Sequence, residues 1–142
     1  MSKTLIYTII LSTFIGCKSV SIKNAIKQKY VSGVPNGTSE TIVSITLETN
    51  DIIIIDSVYF EEKTNRIESY SIYDLSNGMI LKPNEILKKG KYYIQMSSSK
   101  NKTFFNDSDE IHLTYLSYGK LKTKKIFITE VNNLLMKSNV KH

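Results

Sequence analysis

The chain has 142 residues and a formal net charge of +6, a length for one domain that can hold a core without disulfides or metals. Its lysines are interleaved with acids along the whole sequence, which argues against a nucleic-acid partner. A single cysteine excludes an internal disulfide.

The first element is a targeting segment. Lys3 supplies a positive start, Leu5 to Ile15 form an apolar run, and Gly16 is a small residue ahead of Cys17. The run is shorter than the about 20 residues a bilayer span takes. Phe14-Ile15-Gly16-Cys17 resembles the lipobox of bacterial lipoproteins in its last two residues. Phe14 stands where leucine is usual, and Ile15 where a smaller residue is usual. The resemblance implies cleavage before Cys17 and lipid on its sulfur and freed amine. Each buried CH₂ contributes about 0.8 kcal/mol, and more than one acyl chain makes attachment stable. The alternative is an ordinary signal peptide or an uncleaved anchor with Cys17 incidental. The expected divisions are a signal peptide over 1–16, a lipidated tether over 17–24, a β-domain over 25–131 and a polar tail over 132–142. No acidic run follows Cys17, so the expected location is the cell envelope, on the periplasm-facing side of the outer membrane.

Period-2 alternation dominates the chain beyond Asn24. Ala25 to Val31 and Thr41 to Leu47 read as strands around a loop at Gly33–Ser39, with Val43, Ile45 and Leu47 on one face. Ile52 to Phe60 has an odd register: strict alternation would bury Asp56 with Val58 and Phe60. A buried unpaired carboxylate is costly, so a β-bulge at Asp56-Ser57 is expected, placing Ile53 and Ile55 on the face of Val58 and Phe60. Arg66 to Tyr73 reads as a weaker strand, Met79 to Leu81 as a short one, and Asn84 to Lys89 as a helical turn. Lys91 to Ser98, Glu110 to Ser117 and Leu121 to Thr129 complete the strands, the last two joined by a tight hairpin at Tyr118-Gly119-Lys120. Seven to eight short strands with frequent turns predict an all-β, immunoglobulin-like antiparallel β-sandwich. Leu87-x-x-Gly90-x-Tyr92 resembles the tyrosine corner of such sandwiches, in which the hydroxyl bonds backbone a few residues upstream. The plainer alternative is a core tyrosine with its hydroxyl at the rim.

From about Lys27 to Glu130 the chain resembles small uncharacterised lipoproteins of flavobacterial type. The resemblance rests on Tyr30-Val31-Ser32-Gly33-Val34, Ile55-Asp56-Ser57-Val58-Tyr59-Phe60, Ile94-Gln95-Met96-Ser97-Ser98 and Tyr118-Gly119-Lys120. It implies an anchored β-domain and no reaction. Residues 74–90 depart from that pattern.

Chemistry-bearing residues are sparse. His112 lies in a strand pattern and His142 is the last residue; no HExxH, CxxC, GxSxG or glycine-rich phosphate loop occurs. No catalytic residue, metal ligand or cofactor-binding residue is assigned, and no cofactor is expected. Asn106-Asp107-Ser108-Asp109-Glu110 is the best oxygen-ligand cluster for Ca²⁺, but it lacks the glycine and distal glutamate of a calcium loop and reads as a solvated turn. Asp56-Ser57-Val58 matches a short bacterial O-glycosylation motif. Lys88, Lys89 and Lys91 form one basic group, and Lys120, Lys122, Lys124 and Lys125 another. Each fits an anionic membrane or a solvated edge strand protected from aggregation. The leading expectation is a membrane-anchored, non-enzymatic binding or scaffold module that meets another envelope protein. The alternatives are a glycan- or small-ligand-binding lipoprotein, for which tryptophan is lacking, and a hydrolase with a dispersed site around His112.

Overall fold

A computed structural model describes residues 19–31, 39–61, 65–99 and 109–131. The stretch read as a signal segment, Cys17, the loop from Gly33, residues Asn106 to Ser108 and the tail from residue 132 lie outside the described residues. The alternating stretches form strands. β1 (Val20–Val31), β2 (Ser39–Thr49) and β3 (Ile53–Phe60) are followed by the two-residue β4 (Asn65–Arg66) and by β5 (Ser71–Asp74). β6 (Ile80–Leu81) and β7 (Ile86–Leu87) are equally short; β8 (Gly90–Ser97), β9 (Glu110–Ser117), β10 (Lys120–Phe127) and β11 (Thr129–Val131) complete the series.

The strands make two sheets. The first runs β11-β1-β2-β8-β5-β6, the second β10-β9-β3-β4, with β7 also on β3. Without the short β4, β6, β7 and β11, seven strands remain, ordered β1-β2-β8-β5 over β10-β9-β3. Lettered in chain order these are A-B-E-D and G-F-C, the order of the constant-type immunoglobulin sandwich. One pair departs from an antiparallel sandwich: β11 runs parallel to β1, Ile26 opposite Thr129. The chain leaves the second sheet after Phe127 and enters the first at Thr129, so it reaches the outer edge of β1 in the same direction.

The core lies between the inner faces. Val43, Ile45 and Leu47 of β2, with Ile94 and Met96 of β8, face Ile53, Ile55, Val58 and Phe60 of β3 and Ile111 and Leu113 of β9, all buried. Each such side chain contributes about 1.5–3 kcal/mol on leaving water. The ladder between β3 and β9 slips between Ile55 and Ser57, so Asp56 is the extra residue and faces solvent. This is the expected bulge, and it keeps a carboxylate out of the core.

Three expectations are corrected. β1 begins at Val20, inside the stretch read as tether, and a second bulge between Ile22 and Asn24 carries its inner face from Val20 to Ala25. The stretch Arg66 to Tyr73 is divided between the sheets. Arg66 pairs with Tyr59 and Ile72 with Ile94, while Ile67 is buried at the crossing. The expected helical turn at Asn84 to Lys89 is a β-turn and then β7. Glu85 N donates to Lys82 O at 3.2 Å, and Asn84 has φ +67° after Pro83, which suits a type II turn and stops a helix. Ile86 and Leu87 then pair with Ile54 and Ile53.

The tyrosine corner forms. The Tyr92 hydroxyl donates to Lys88 O at 2.8 Å, and Gly90 leaves room for the ring, whose nearest atoms lie 3.8 Å from where a Cβ would be. It pins the corner where the chain passes from β7 in the second sheet to β8 in the first. In immunoglobulin domains the corner precedes the F strand; here it precedes the E equivalent. The β9–β10 hairpin turns on Tyr118 and Gly119, with φ +51° and +71°, as a two-residue type I′ turn requires.

Candidate functional site

The residues singled out for chemistry do not converge. His112 lies on the outer face of the second sheet, half-buried, opposite Tyr59 and Lys125. Its Nε2 meets Glu110 Oε1 at 2.5 Å, and Lys125 Nζ lies 3.0 Å from Glu110 Oε2. These contacts hold the Glu110 carboxyl below the usual carboxylate range, the His112 hydrogen bond first and Lys125 second. The arrangement is a surface ion network on two neighbouring strands. Asp109, a second acid of the expected oxygen cluster, turns away to accept from Lys27 at 3.3 Å, a lysine buried on the inner face of β1. The two carboxylates therefore serve different partners. Among the described residues no three His, Cys, Asp or Glu side chains are grouped as metal ligands.

Ser57 is only 3% exposed, and its hydroxyl donates to Asp56 Oδ2 at 2.9 Å. The folded chain gives a glycan no room there. The basic run of β10 divides. Lys124 Nζ donates to Val20 O at 2.6 Å and Lys125 serves Glu110, whereas Lys120 and Lys122 point to solvent.

Three surfaces stand out among the described residues. An open groove of about 470 Å³ lies where the sheets part, between the start of β1 (Ser21 to Ala25) and the end of β10 (Lys124 to Phe127). β10 is the outermost strand of the second sheet, so one side of its backbone faces this opening. On the outer face of the first sheet, a shallow depression of about 160 Å³ is lined by Glu40, Tyr70, Tyr73 and Gln95 among others. Beside it Tyr73 and Tyr93 pack in a tilted contact, with ring centroids 5.9 Å and planes 57° apart, and Tyr93 donates to Ser44 Oγ at 2.7 Å. Burial holds the Tyr70 hydroxyl's pKa above its usual value. The third surface is an apolar row across the outer face of the second sheet. Ile86 sits opposite Ile54, Ile54 opposite Leu116, and Leu116 opposite Leu121. Sequence reasoning missed this row. Alternation marks these residues as outward-facing, but only the pairing lines them up.

No protein-family model and no curated protein matches the chain. A solved structure, the apo PCuAC domain from PmoF1, aligns over 80% of this chain and 95% of that chain, with 11% identity and a TM-score of 0.35. A likeness of that size bears on neither ligand nor activity here.

Proposed function

We propose that this chain is a lipid-anchored, non-enzymatic binding module of the bacterial cell envelope. In this reading the chain is cut before Cys17, lipid on Cys17 holds it to the outer membrane facing the periplasm, and the sandwich engages another envelope protein. The observation that carries the binding role is the open edge of β10 beside the groove against β1. An extended segment of a partner can add to such an edge through main-chain hydrogen bonds, with side-chain pockets alongside giving selectivity. The lysines of β10 discourage the same edge from pairing with further copies. Against a hydrolase stands the place of His112 among the described residues, on an outer sheet face and outside the groove and the depression described above, whereas such a site needs a cleft.

A glycan- or small-ligand-binding role is the second reading, favoured by the paired Tyr73 and Tyr93 rings beside a polar depression. Photocrosslinking amino acids at Phe127, which lines the groove, and at Tyr93, in the full chain in its own cells, separate the two. A single protein captured from position 127 supports strand addition. Capture from position 93 alone, or of glycan only, overturns it. The anchor is tested by metabolic labelling with a fatty-acid analogue: label on the wild type and none on Cys17→Ala is expected, and equal labelling of both refutes the anchor.

A further inference from the structure

The anchor-proximal end of the sandwich carries a surface of its own. Backbone pairing identifies that end. Val20 lies opposite Thr49, and Thr49 opposite Gly90. Ile53 lies opposite both Leu87 and Ser117, and Ser117 opposite Lys120. The start of β1, the β2–β3 loop, the Lys88–Gly90 corner and the β9–β10 turn are therefore neighbours. Two hydrogen bonds tie them: Asn50 N donates to Ser19 O at 2.9 Å, and the Tyr118 hydroxyl donates to Asp51 Oδ1 at 3.0 Å.

Large apolar side chains project from this end into solvent. Tyr118 is 78% exposed, Ile52 and Leu121 62% each, and Ile86 56%. Leu121 and Ile86 are the two ends of the apolar row, so these residues continue onto the sheet face. Lys88 and Lys89 follow β7, Lys120 and Lys122 flank Leu121, and all four are exposed. None of the four belongs to an ion pair among the described residues. The nearby Asp51 is engaged by Tyr118 and Glu85 by the Lys82 backbone N–H at 2.7 Å. Exposed apolar groups ringed by unpaired lysines match the bilayer interface, where the apolar groups enter the headgroup layer and each lysine is attracted to anionic lipid.

Chain length selects the occupant. Cys17 is two residues before Ser19, and two residues span at most about 7 Å. Because β1 starts at Val20, no long tether separates the fold from the anchor. We infer that this end of the sandwich lies flat on an anionic bilayer, with Ile52, Tyr118 and Leu121 at headgroup depth and Lys88, Lys89, Lys120 and Lys122 on lipid phosphates. The orientation rests on the anchor reading; the surface itself does not. Flush seating leaves the β1–β10 groove and the tyrosine face directed along or away from the membrane.

The test uses the full purified chain in phosphatidylethanolamine–phosphatidylglycerol vesicles, with an environment-sensitive fluorophore on Ile52→Cys, Leu121→Cys or Tyr30→Cys. Tyr30 lies towards the opposite end of β1, where it pairs with Glu40. Lipid-borne quencher and a blue-shifted emission at positions 52 and 121, with neither at 30, are expected. Lys120→Gln combined with Lys122→Gln lowers the contact equilibrium by about 30-fold; replacing phosphatidylglycerol by a zwitterionic lipid also lowers it. Equal water exposure at all three positions overturns the inference and leaves the end free for a protein. Intact mass on the same samples reads the anchor separately. Absence of a lipid mass shift refutes the anchor, while selective quenching at positions 52 and 121 still supports the surface.

Discussion

At the residue scale, the hydrogen bonds that matter most are those made across the chain's changes of direction. Tyr92 is buried, and its hydroxyl donates to Lys88 O. Tyr92→Phe keeps the ring and removes that bond, so a loss of about 1 kcal/mol is expected by urea denaturation, with no change in slope. The Ser117 hydroxyl presents the opposite case: it is buried and has no hydrogen-bond partner among the described residues. Burying a hydroxyl without a partner costs about 1–3 kcal/mol, so Ser117→Ala should leave stability unchanged or raised. A clear drop in the urea midpoint would contradict that. The Glu110 carboxyl is held below its ordinary value of 4.5 by His112 and Lys125. The unfolded chain therefore binds the proton more readily, and the contribution to stability is present above that value and lost as pH falls below it. The stability difference between wild type and Glu110→Gln should accordingly be present at neutral pH and shrink under acid, as read from denaturation midpoints across the range.

At the element scale, β3 shows how a sequence can declare an irregularity. Ile53, Ile55, Val58 and Phe60 all face inward, which strict alternation forbids, and Asp56 is the residue left over. Deleting Asp56 leaves Ile55, Ser57 and Val58 in regular alternation opposite Tyr115, Thr114 and Leu113. That variant should still fold cooperatively, with a loss in the ordinary range of about 0.5–3 kcal/mol. Deleting Ile54 instead turns Ile53 towards solvent or forces the register to slip, and no cooperative transition is expected. Circular dichroism with urea titration distinguishes the two. The bulge was legible because a carboxylate in an apolar run has few places to go. The division of Arg66 to Tyr73 between two sheets was not, because a short polar stretch has the same alternation whichever sheet it joins. The early start of β1 was partly legible, since Val20 and Ile22 alternate. The bulge after Ile22 shifts the phase before Ala25 and hides the continuity.

At the scale of the whole molecule, the proposed anchor at Cys17 makes the length of chain between it and the fold the quantity that would govern the proposed orientation. A spacer of about ten Gly/Ser residues inserted between Lys18 and Ser19 has a root-mean-square reach of about 17 Å. That exceeds the about 8 Å over which the lysines feel the membrane at physiological salt. It lowers the effective concentration of the surface at the bilayer. The fluorophore at Leu121→Cys should then lose part of its lipid quenching while the protein stays in the membrane fraction. Unaltered quenching would show that the surface binds lipid without help from a short tether.

The order of residues along the chain was enough for the fold class, the bulge at Asp56, the hairpin at Tyr118-Gly119 and the corner at Tyr92. Each depends on neighbours in the chain, through alternation, backbone conformation or a hydrogen bond spanning four residues. Strand assembly was needed to place β11 parallel to β1, to part Asp109 and Glu110 to different partners, and to enclose Ser57. It also brought Ile52, Ile86, Tyr118 and Leu121 to the end where Ser19 enters the fold. These are consequences of which strands become neighbours, and that choice is made by burying both inner faces at once, a property no single stretch of the chain carries.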